Sequence, residues 1–357
     1  MIKLNINVSK KYEVLIGKNL LAKAPLYIEK VAKSKKLFVL TDDIVEGLYG
    51  KTFIKLMTDA GFQTELFVIK NGEESKNFEV YKSIINSLAS KGFTRNDSLI
   101  ALGGGVVGDI GGFGAATYQR GMGLIQIPTT LLAAVDSSVG GKTAIDLEYG
   151  KNLLGSFYQP DLVICDIDTF KTLDRDIYMD GMAEVIKYSI LEKVSFKDWL
   201  KNEDLLDISQ ETVFECVRIK QVIVEEDELD KGIRQVLNLG HTIGHSIELL
   251  SNYTVSHGLA VAKGLNAIAK ISYTLGFCDK KTLDYIYNLL NLHKYPLTIS
   301  YTEEELAHAI LSDKKREDSH INLILIKDIG SCFIHKLKVD QLVDLFKKAK
   351  ICGDGND

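Results

Sequence analysis

The stretch Ser98-Leu99-Ile100-Ala101-Leu102-Gly103-Gly104-Gly105-Val106-Val107-Gly108-Asp109 decides the fold class. Its first five residues have the length and apolar bias of a buried strand. They run into three glycines, and Ile110–Thr117 continues with a helical pattern. A strand that turns through glycine into a helix is the repeating unit of a parallel sheet covered by helices. Glycines let a backbone approach a phosphate, and a helix N-terminus offers free N–H groups and a positive dipole. The same glycines also suit a tight turn with close packing. The run matches neither the dinucleotide fingerprint nor a P-loop, so by itself it leaves the two readings open.

Outward from this stretch, the first half keeps alternating strands and helices. Ile2–Val8 and Tyr12–Ile16 alternate apolar and polar residues, as an edge hairpin does. Leu20–Ala32 is helical in pattern, and Lys36–Leu40 is a compact apolar strand ending at Thr41-Asp42-Asp43, which can cap the next helix, Ile44–Ala60. Glu65–Ile69 is another strand, Phe78–Ser90 another helix, and Leu124–Ile127 a further strand. From about Tyr178 the texture changes. Apolar residues recur at helical spacing through Met182–Leu191, Val213–Val224, Val236–Leu250, Leu259–Leu275, Leu283–Leu290 and Leu306–Leu311, and only Asn322–Ile326 looks like a strand. The expectation is an α/β domain over residues 1–174 with a mostly parallel sheet, then a largely helical domain over 175–357.

The chain has 357 residues, 46% hydrophobic and 25% charged, with a net charge of −5. That excludes a general nucleic-acid or membrane surface, so anionic ligands must be held by local groups of Lys and Arg. Five cysteines, scattered and odd in number, make no disulfide framework and no metal-ligand spacing. They read as reduced thiols of a cytoplasmic protein. The N-terminus lacks a signal-peptide pattern, and no apolar run is long enough to span a bilayer.

Several stretches carry chemistry. Thr129-Thr130 follows a strand and Pro128. Lys142 follows Gly140-Gly141, and Lys151 follows Gly150, with Asp136 and Asn152 beside them. A lysine behind a glycine turn suits a phosphate oxygen, although loop lysines are usually just solvated. In Gly181-Met182-Ala183-Glu184-Val185-Ile186-Lys187-Tyr188, Glu184 and Lys187 share one helical face and suit an ordinary ion pair. His241 and His245 are four apart, so on a helix both imidazoles leave the same face. With His257 they are three of the chain's seven histidines. Two histidines and Glu184 would make an oxygen-plus-nitrogen metal site with open positions. Lys220, Arg234 and Asn238 are candidates to grip an anionic, hydroxylated substrate. The acidic run Glu225-Glu226-Asp227-Glu228 reads as a solvated turn and Asp313-Lys314-Lys315-Arg316 as a basic loop.

Taken together, Gly103–Asp109, Gly121–Thr130, Val135–Thr143, Lys151–Pro160, Ala183–Tyr188 and Leu237–His245 with His257-Gly258 resemble 3-dehydroquinate synthase, a shikimate-pathway family among the sugar-phosphate cyclases. The resemblance covers nearly the whole chain in the right order. It implies an NAD-binding α/β domain followed by a helical metal-binding domain, tightly bound NAD, zinc or cobalt, and a cytoplasmic homodimer. The reaction it implies converts 3-deoxy-D-arabino-heptulosonate 7-phosphate to 3-dehydroquinate and phosphate. The steps are transient oxidation by NAD, phosphate elimination, reduction, ring opening and aldol closure.

Carried over residue by residue, the metal ligands are Glu184, His241 and His257. NAD contacts come from Asn71, Gly72, Glu73, Glu74, Ser75 and Lys76, from Gly105, Val106, Val107, Gly108 and Asp109, from Thr129 and Thr130, from Lys142 and Lys151, and from Thr169, Phe170, Lys171 and Thr172. Substrate contacts and catalysis fall to Asp136, Lys142, Asn152, Lys187, Lys220, Arg234, Asn238 and His245, with His245 carrying protons. Arg120 would reach the substrate phosphate from the neighbouring subunit. The chain departs from the family pattern at Leu259, where Glu is usual, at Lys263, where an apolar residue is common, at Ser189, and at Asp146-Leu147-Glu148.

Two other enzyme readings stand beside this one. A polyol dehydrogenase of the glycerol dehydrogenase kind shares the plan, but a neutral polyol does not need Lys142, Lys151, Lys187, Lys220 and Arg234. Another sugar-phosphate cyclase, such as a 2-deoxy-scyllo-inosose synthase, tends to lose the Val107-Gly108-Asp109 and Gly140-Gly141-Lys142 forms present here. A non-catalytic NAD- or metal-binding protein is the third alternative.

Overall fold

The structure is a computed structural model and describes residues 1–192, 208–312 and 319–353. The chain forms two compact units. The first is Met1–Tyr178 with Ile208–Leu229, and the second is Met179–Asp207 with Asp230–Asp357. Asp313–Arg316, the expected basic loop, lies outside the described residues.

In the first unit, seven described strands make one sheet: β1 (Ile2–Ile6), β2 (Tyr12–Gly17), β3 (Lys36–Asp42), β4 (Gln63–Ile69), β5 (Ser98–Gly103), β6 (Gly123–Pro128) and β9 (Leu162–Asp166), in the order β1-β2-β9-β6-β5-β3-β4. Only the edge pair β1–β2 is antiparallel; every other pairing is parallel. β7 (Lys142–Leu147) and β8 (Gly150–Phe157) form a separate antiparallel hairpin. The helices of this unit are α1 (Ala24–Ile28), α2 (Asp43–Val45), α3 (Lys51–Asp59), α4 (Phe78–Ser90) and α5 (Gly105–Thr117). α6 (Arg175–Leu191) carries the chain onward, and α7 (Gln210–Glu226) returns to the first unit.

Alternate residues of the central strands fill two separate cores, as a sheet buried on both faces requires. Leu37, Val39, Ile100, Leu102, Ile125 and Ile127 pack with Ile28, Phe53 and Met57. Phe38, Leu40, Leu99, Ala101 and Leu124 pack on the other side with Ile84, Leu88, Ile110 and Phe113. β5 has β3 on one side and β6 on the other, while β4 lies beyond β3. The strand order therefore reverses next to the glycine run, which is where open α/β sheets bind ligands.

α7 explains why the units are not divided by a single cut after residue 174. Lys220 donates to the Asp136 carbonyl and carboxylate at 2.7 and 2.6 Å. The acidic run is not a free solvated turn. Glu225 accepts the Asn7 N–H at 2.6 Å, and Glu228 accepts the Ser9 N–H and hydroxyl and the Gln159 amide. These carboxylates hold the β1–β2 turn, satisfying backbone donors that the hairpin leaves open.

The second unit is mainly helical: the body of α6, α8 (His241–Leu250), α9 (His257–Thr274), α10 (Lys280–Leu292), α11 (Glu303–Ser312) and α12 (Leu342–Ala349). It also holds an antiparallel hairpin, β10 (His320–Asp328) and β11 (Ser331–Lys338). The expected helix over Val236–Leu250 is interrupted. Ile233–Asn238 is a 3₁₀ turn, and Gly240 at φ +80° restarts the chain as α8 at His241. Glycines bring helices into backbone contact: a Cβ on Gly264 of α9 would lie 2.0 Å from the Gly240 carbonyl oxygen, and one on Gly258 would lie 2.3 Å from Asp180 Cα. The five cysteines are free thiols. Among the described residues, no helix is long and apolar enough to cross a membrane.

The Gly264 contact is backbone against backbone, so no side chain can yield. Gly264→Ala should separate α8 from α9 and lower stability by about 1–3 kcal/mol, read as a shift in the urea midpoint; an unchanged midpoint would show that this close approach is not needed.

Candidate active site

Three helices deliver one buried cluster in the second unit. Glu184 comes from α6, His241 opens α8 and His257 opens α9. Glu184 is fully buried, and its Oε1 lies 3.3 Å from both His241 Nε2 and His257 Nε2. One ligand atom from each residue lies within 4.8 Å of the others. A tetrahedral zinc with bonds of about 2.0–2.1 Å separates its ligand atoms by roughly 3.3 Å. The donor set, two imidazoles and a carboxylate, is one that zinc and related ions use with a position left open.

The far sides of the two imidazoles are also held. His241 Nδ1 lies 3.1 Å from the Leu239 carbonyl, and His257 Nδ1 lies 3.4 Å from Glu248 Oε2. An imidazole that donates from Nδ1 keeps its Nε2 lone pair toward a metal. Charge supports the same reading. Burial raises the Glu184 carboxyl, but Lys187, in contact with Oε2, and His241 hold it well below the usual carboxylate range. Burial lowers His257, but hydrogen bonds to Glu184 and Glu248 outweigh it and raise the group to about 10. Two carboxylates thus draw positive charge to one point, as a proton on His257 or as a cation in its place. The chemistry of the donor set fits the implied metal.

The His241 and His245 rings stack edge to face at 5.4 Å. His245 is half exposed, its Nε2 lies 4.0 Å from Glu248 Oε2, and with Glu248 and His257 it forms a second group able to hold a cation. Lys187 is buried with its ammonium over the Tyr188 ring at 4.7 Å. Arg234 is buried and Asn238 exposed on the 3₁₀ turn before α8. Sequence reasoning missed Glu248. Its spacing, three residues beyond His245 and on the face of a histidine-bearing helix, was the available signal.

In the first unit, the segments expected to contact NAD follow the carboxyl ends of parallel strands. Asn71–Lys76 follows β4, Gly105–Asp109 follows β5, Thr129 and Thr130 follow β6, and Thr169–Thr172 follows β9. α5 has Gly104 at its N-cap, with no side-chain cap on its N-terminal N–H groups. Thr129 donates its N–H to the Gly103 carbonyl, and Thr130 lies against Gly104. The Thr129 hydroxyl is buried with no hydrogen-bond partner, as is that of Thr41 near the end of β3. Orphaned hydroxyls beside an uncapped helix N-terminus fit a phosphate-bearing nucleotide.

Polar residues from four segments meet next to this edge. Lys76, nearly fully buried, donates to Asp109 Oδ2 at 2.7 Å and Asn152 Oδ1 at 2.6 Å, with Glu73 at 3.6 Å. Burial pushes the Lys76 ammonium down, but Asp109 and Glu73 more than reverse this and raise it to about 12. Lys151 lies 3.9 Å from Glu73, and Asn152, at φ +58°, donates its N–H to Asp146. Lys142 is exposed at the start of β7, and Arg120 is exposed between Gln119 and Gly121, all three at positive φ. Asn71 donates its N–H to Asp43, and Ser75 its hydroxyl to the Lys70 carbonyl. Within Thr169–Thr172, the Thr169 hydroxyl donates to the Asp166 carbonyl, the Thr172 hydroxyl bonds the Tyr49 hydroxyl and Lys171 pairs with Asp168.

Comparison with known proteins places these features in a family. The family model described as 3-dehydroquinate synthase N-terminal matches residues 66–180, and the one described as 3-dehydroquinate synthase C-terminal matches 181–316. The chain is 44% identical over 333 residues to a 3-dehydroquinate synthase of Clostridium acetobutylicum, covering 92% of this chain and 94% of that protein. It is 41% identical over 337 residues to one of Clostridium botulinum, covering 93% and 96%. Among solved structures, 2-deoxy-scyllo-inosose synthase complexed with carbaglucose-6-phosphate, NAD+ and Co2+ shares the fold with a TM-score of 0.87 at 24% identity, over 97% of this chain and 100% of that one.

The cluster generates a direct test. His241→Ala should weaken zinc binding by more than about 100-fold, beyond what loss of an outer partner costs, with far-UV circular dichroism unchanged. Unaltered metal content would remove His241 from the ligand set.

Proposed function

The chain belongs to the 3-dehydroquinate synthase family, and from that premise we propose how its own residues divide the family's reaction. The protein acts as an NAD- and metal-dependent phosphorus–oxygen lyase that converts 3-deoxy-D-arabino-heptulosonate 7-phosphate to 3-dehydroquinate and phosphate in aromatic amino acid biosynthesis. The observation that carries this reading is the buried Glu184–His241–His257 cluster, which lies inside the family match. Glu184, His241 and His257 would hold zinc or cobalt, which would supply acidification of a substrate hydroxyl, and bound NAD would supply reversible hydride uptake.

The residues do the rest by position and charge. The substrate has a carboxylate, a phosphate and several hydroxyls, so a chain of net charge −5 needs fixed cations to hold it. In the first unit the proposal assigns Lys142, Lys220, Asp136 and Asn152 to substrate. Lys220 is already bound to Asp136, so its ammonium is oriented before substrate arrives. In the second unit it assigns Lys187, Arg234, Asn238 and His245. Lys187 neutralises the outer oxygen of Glu184 and leaves Oε1 to the imidazoles. Arg234, buried, holds its guanidinium where an anion meets little competing water. The half-exposed His245 imidazole exchanges protons with water and passes them to substrate.

NAD is assigned to Asn71–Lys76, Gly105–Asp109, Thr129, Thr130, Lys142, Lys151 and Thr169–Thr172. The phosphates would sit on the α5 N-terminus, and the Thr129 hydroxyl would supply a donor. A cytoplasmic homodimer, in which Arg120 reaches the substrate phosphate of the neighbouring subunit, belongs to the same proposal.

Two measurements test this reading. With NAD and zinc supplied, the heptulosonate phosphate should release inorganic phosphate while NADH absorbance stays flat; NADH accumulating from glycerol without phosphate release would make the protein a polyol dehydrogenase. Arg234→Ala should raise the KM for the sugar phosphate by roughly 10- to 100-fold, the loss of a charged hydrogen bond, and leave NAD affinity unchanged. Equal losses for both would contradict the role of Arg234.

A further inference from the structure

The helix that begins with His257 has no cap of its own. Ser256 occupies the N-cap position of α9 without turning its hydroxyl onto the helix, and the first turn carries no acid. Serine followed three residues later by glutamate would form a reciprocal capping box, but the third residue here is Leu259. An 18-residue helix thus begins with N–H groups that need acceptors from elsewhere.

The acceptor comes from another helix. Asp180 Oδ1, on α6, accepts the Ser256 hydroxyl at 2.5 Å and the Gly258 N–H at 3.1 Å. Gly258 makes the approach possible, since its missing Cβ would sit 2.3 Å from Asp180 Cα. Asp180 is four residues before Glu184, so its carboxylate stands one helical turn from that ligand. The two residues flanking His257 are therefore tied to the helix that carries Glu184. A cap within α9 would stabilise the helix wherever it lay. A cap from α6 is satisfied only when the start of α9 lies against α6, which is the condition for His257 Nε2 to face Glu184 Oε1.

We propose that Asp180 is a positioning residue for the metal: by capping α9 from α6 it fixes the His257 imidazole against Glu184. The proposal rests on the assignment of Glu184, His241 and His257 as ligands. Glu248 holds the same imidazole from α8 through Nδ1, so His257 is constrained from two helices at once.

The test uses the full chain stripped of metal, then titrated with zinc against a chromophoric chelator, and loaded with Co2+ for visible absorption spectra. Asp180→Ala should weaken zinc binding about 10- to 100-fold, the cost of losing an outer partner, and alter the cobalt bands. Asp180→Asn keeps an acceptor oxygen and should recover most of the affinity. Asp180→Ala combined with Leu259→Glu restores a cap within α9 but not the tie to α6. Thermal stability of the metal-free protein should then return while zinc affinity stays low. Recovery of both, or unchanged zinc affinity and cobalt spectrum in Asp180→Ala, would overturn the proposal and leave Asp180 an ordinary cap. His257→Ala run alongside separates the two levels: wild-type zinc binding there would overturn the ligand assignment itself.

Discussion

Glu184 is a carboxylate with no exposure, and the second unit is arranged around that constraint. A buried charge costs several kcal/mol unless paired, and removing one partner from such a pair costs about 3–5 kcal/mol. Lys187, on the same helix, meets one oxygen, and two imidazoles from two other helices meet the other. No single helix can supply that compensation, because the imidazoles must approach from outside α6. The glycines at 240, 244, 258 and 264 make the approach possible by letting backbones nearly touch. Larger residues would hold the helices at ordinary spacing and leave the carboxylate unmet. Packing and site chemistry therefore depend on the same small residues.

The first unit solves a different problem, holding an uncapped helix N-terminus at the carboxyl edge of a parallel sheet. The βα turns end on one edge, so residues from 71 to 172 that are far apart in sequence gather along one line of strand ends. Lys76 shows how the polar groups there are organised. It is buried and bonded to groups from two other segments. It fixes Asp109 and Asn152, one on α5 and one on the β8 strand. A charge that holds its neighbours in place is characteristic of a preorganised site.

The departures from sequence expectation share a cause. β7, β8 and β11 were not legible as strands, since their residues mix glycine, lysine and apolar side chains and each finds its partner only in the folded hairpin. The acidic run Glu225–Glu228 reads as solvated because, beyond Gln221 one helical turn before Glu225, the partners Asn7, Ser9 and Gln159 lie far away in sequence. The break at Gly240 was hidden inside a continuous apolar periodicity, which persists through a 3₁₀ turn because three and 3.6 residues per turn differ little over two turns.

What the sequence determined by itself is the alternation of the first half, the helical texture of the second, and the residue types of the site. Period-2 and period-3.6 patterns and glycine turns are local, and the order of the motifs along the chain is enough to point to the family. Tertiary structure alone decided which groups meet. It set His241 and His257 against Glu184 and His245 beside Glu248, returned α7 to the first unit, and showed Glu248 and Asp180 holding His257 and its helix. Those outcomes depend on distances between elements far apart in the chain, set by packing of whole helices, and no local pattern encodes them.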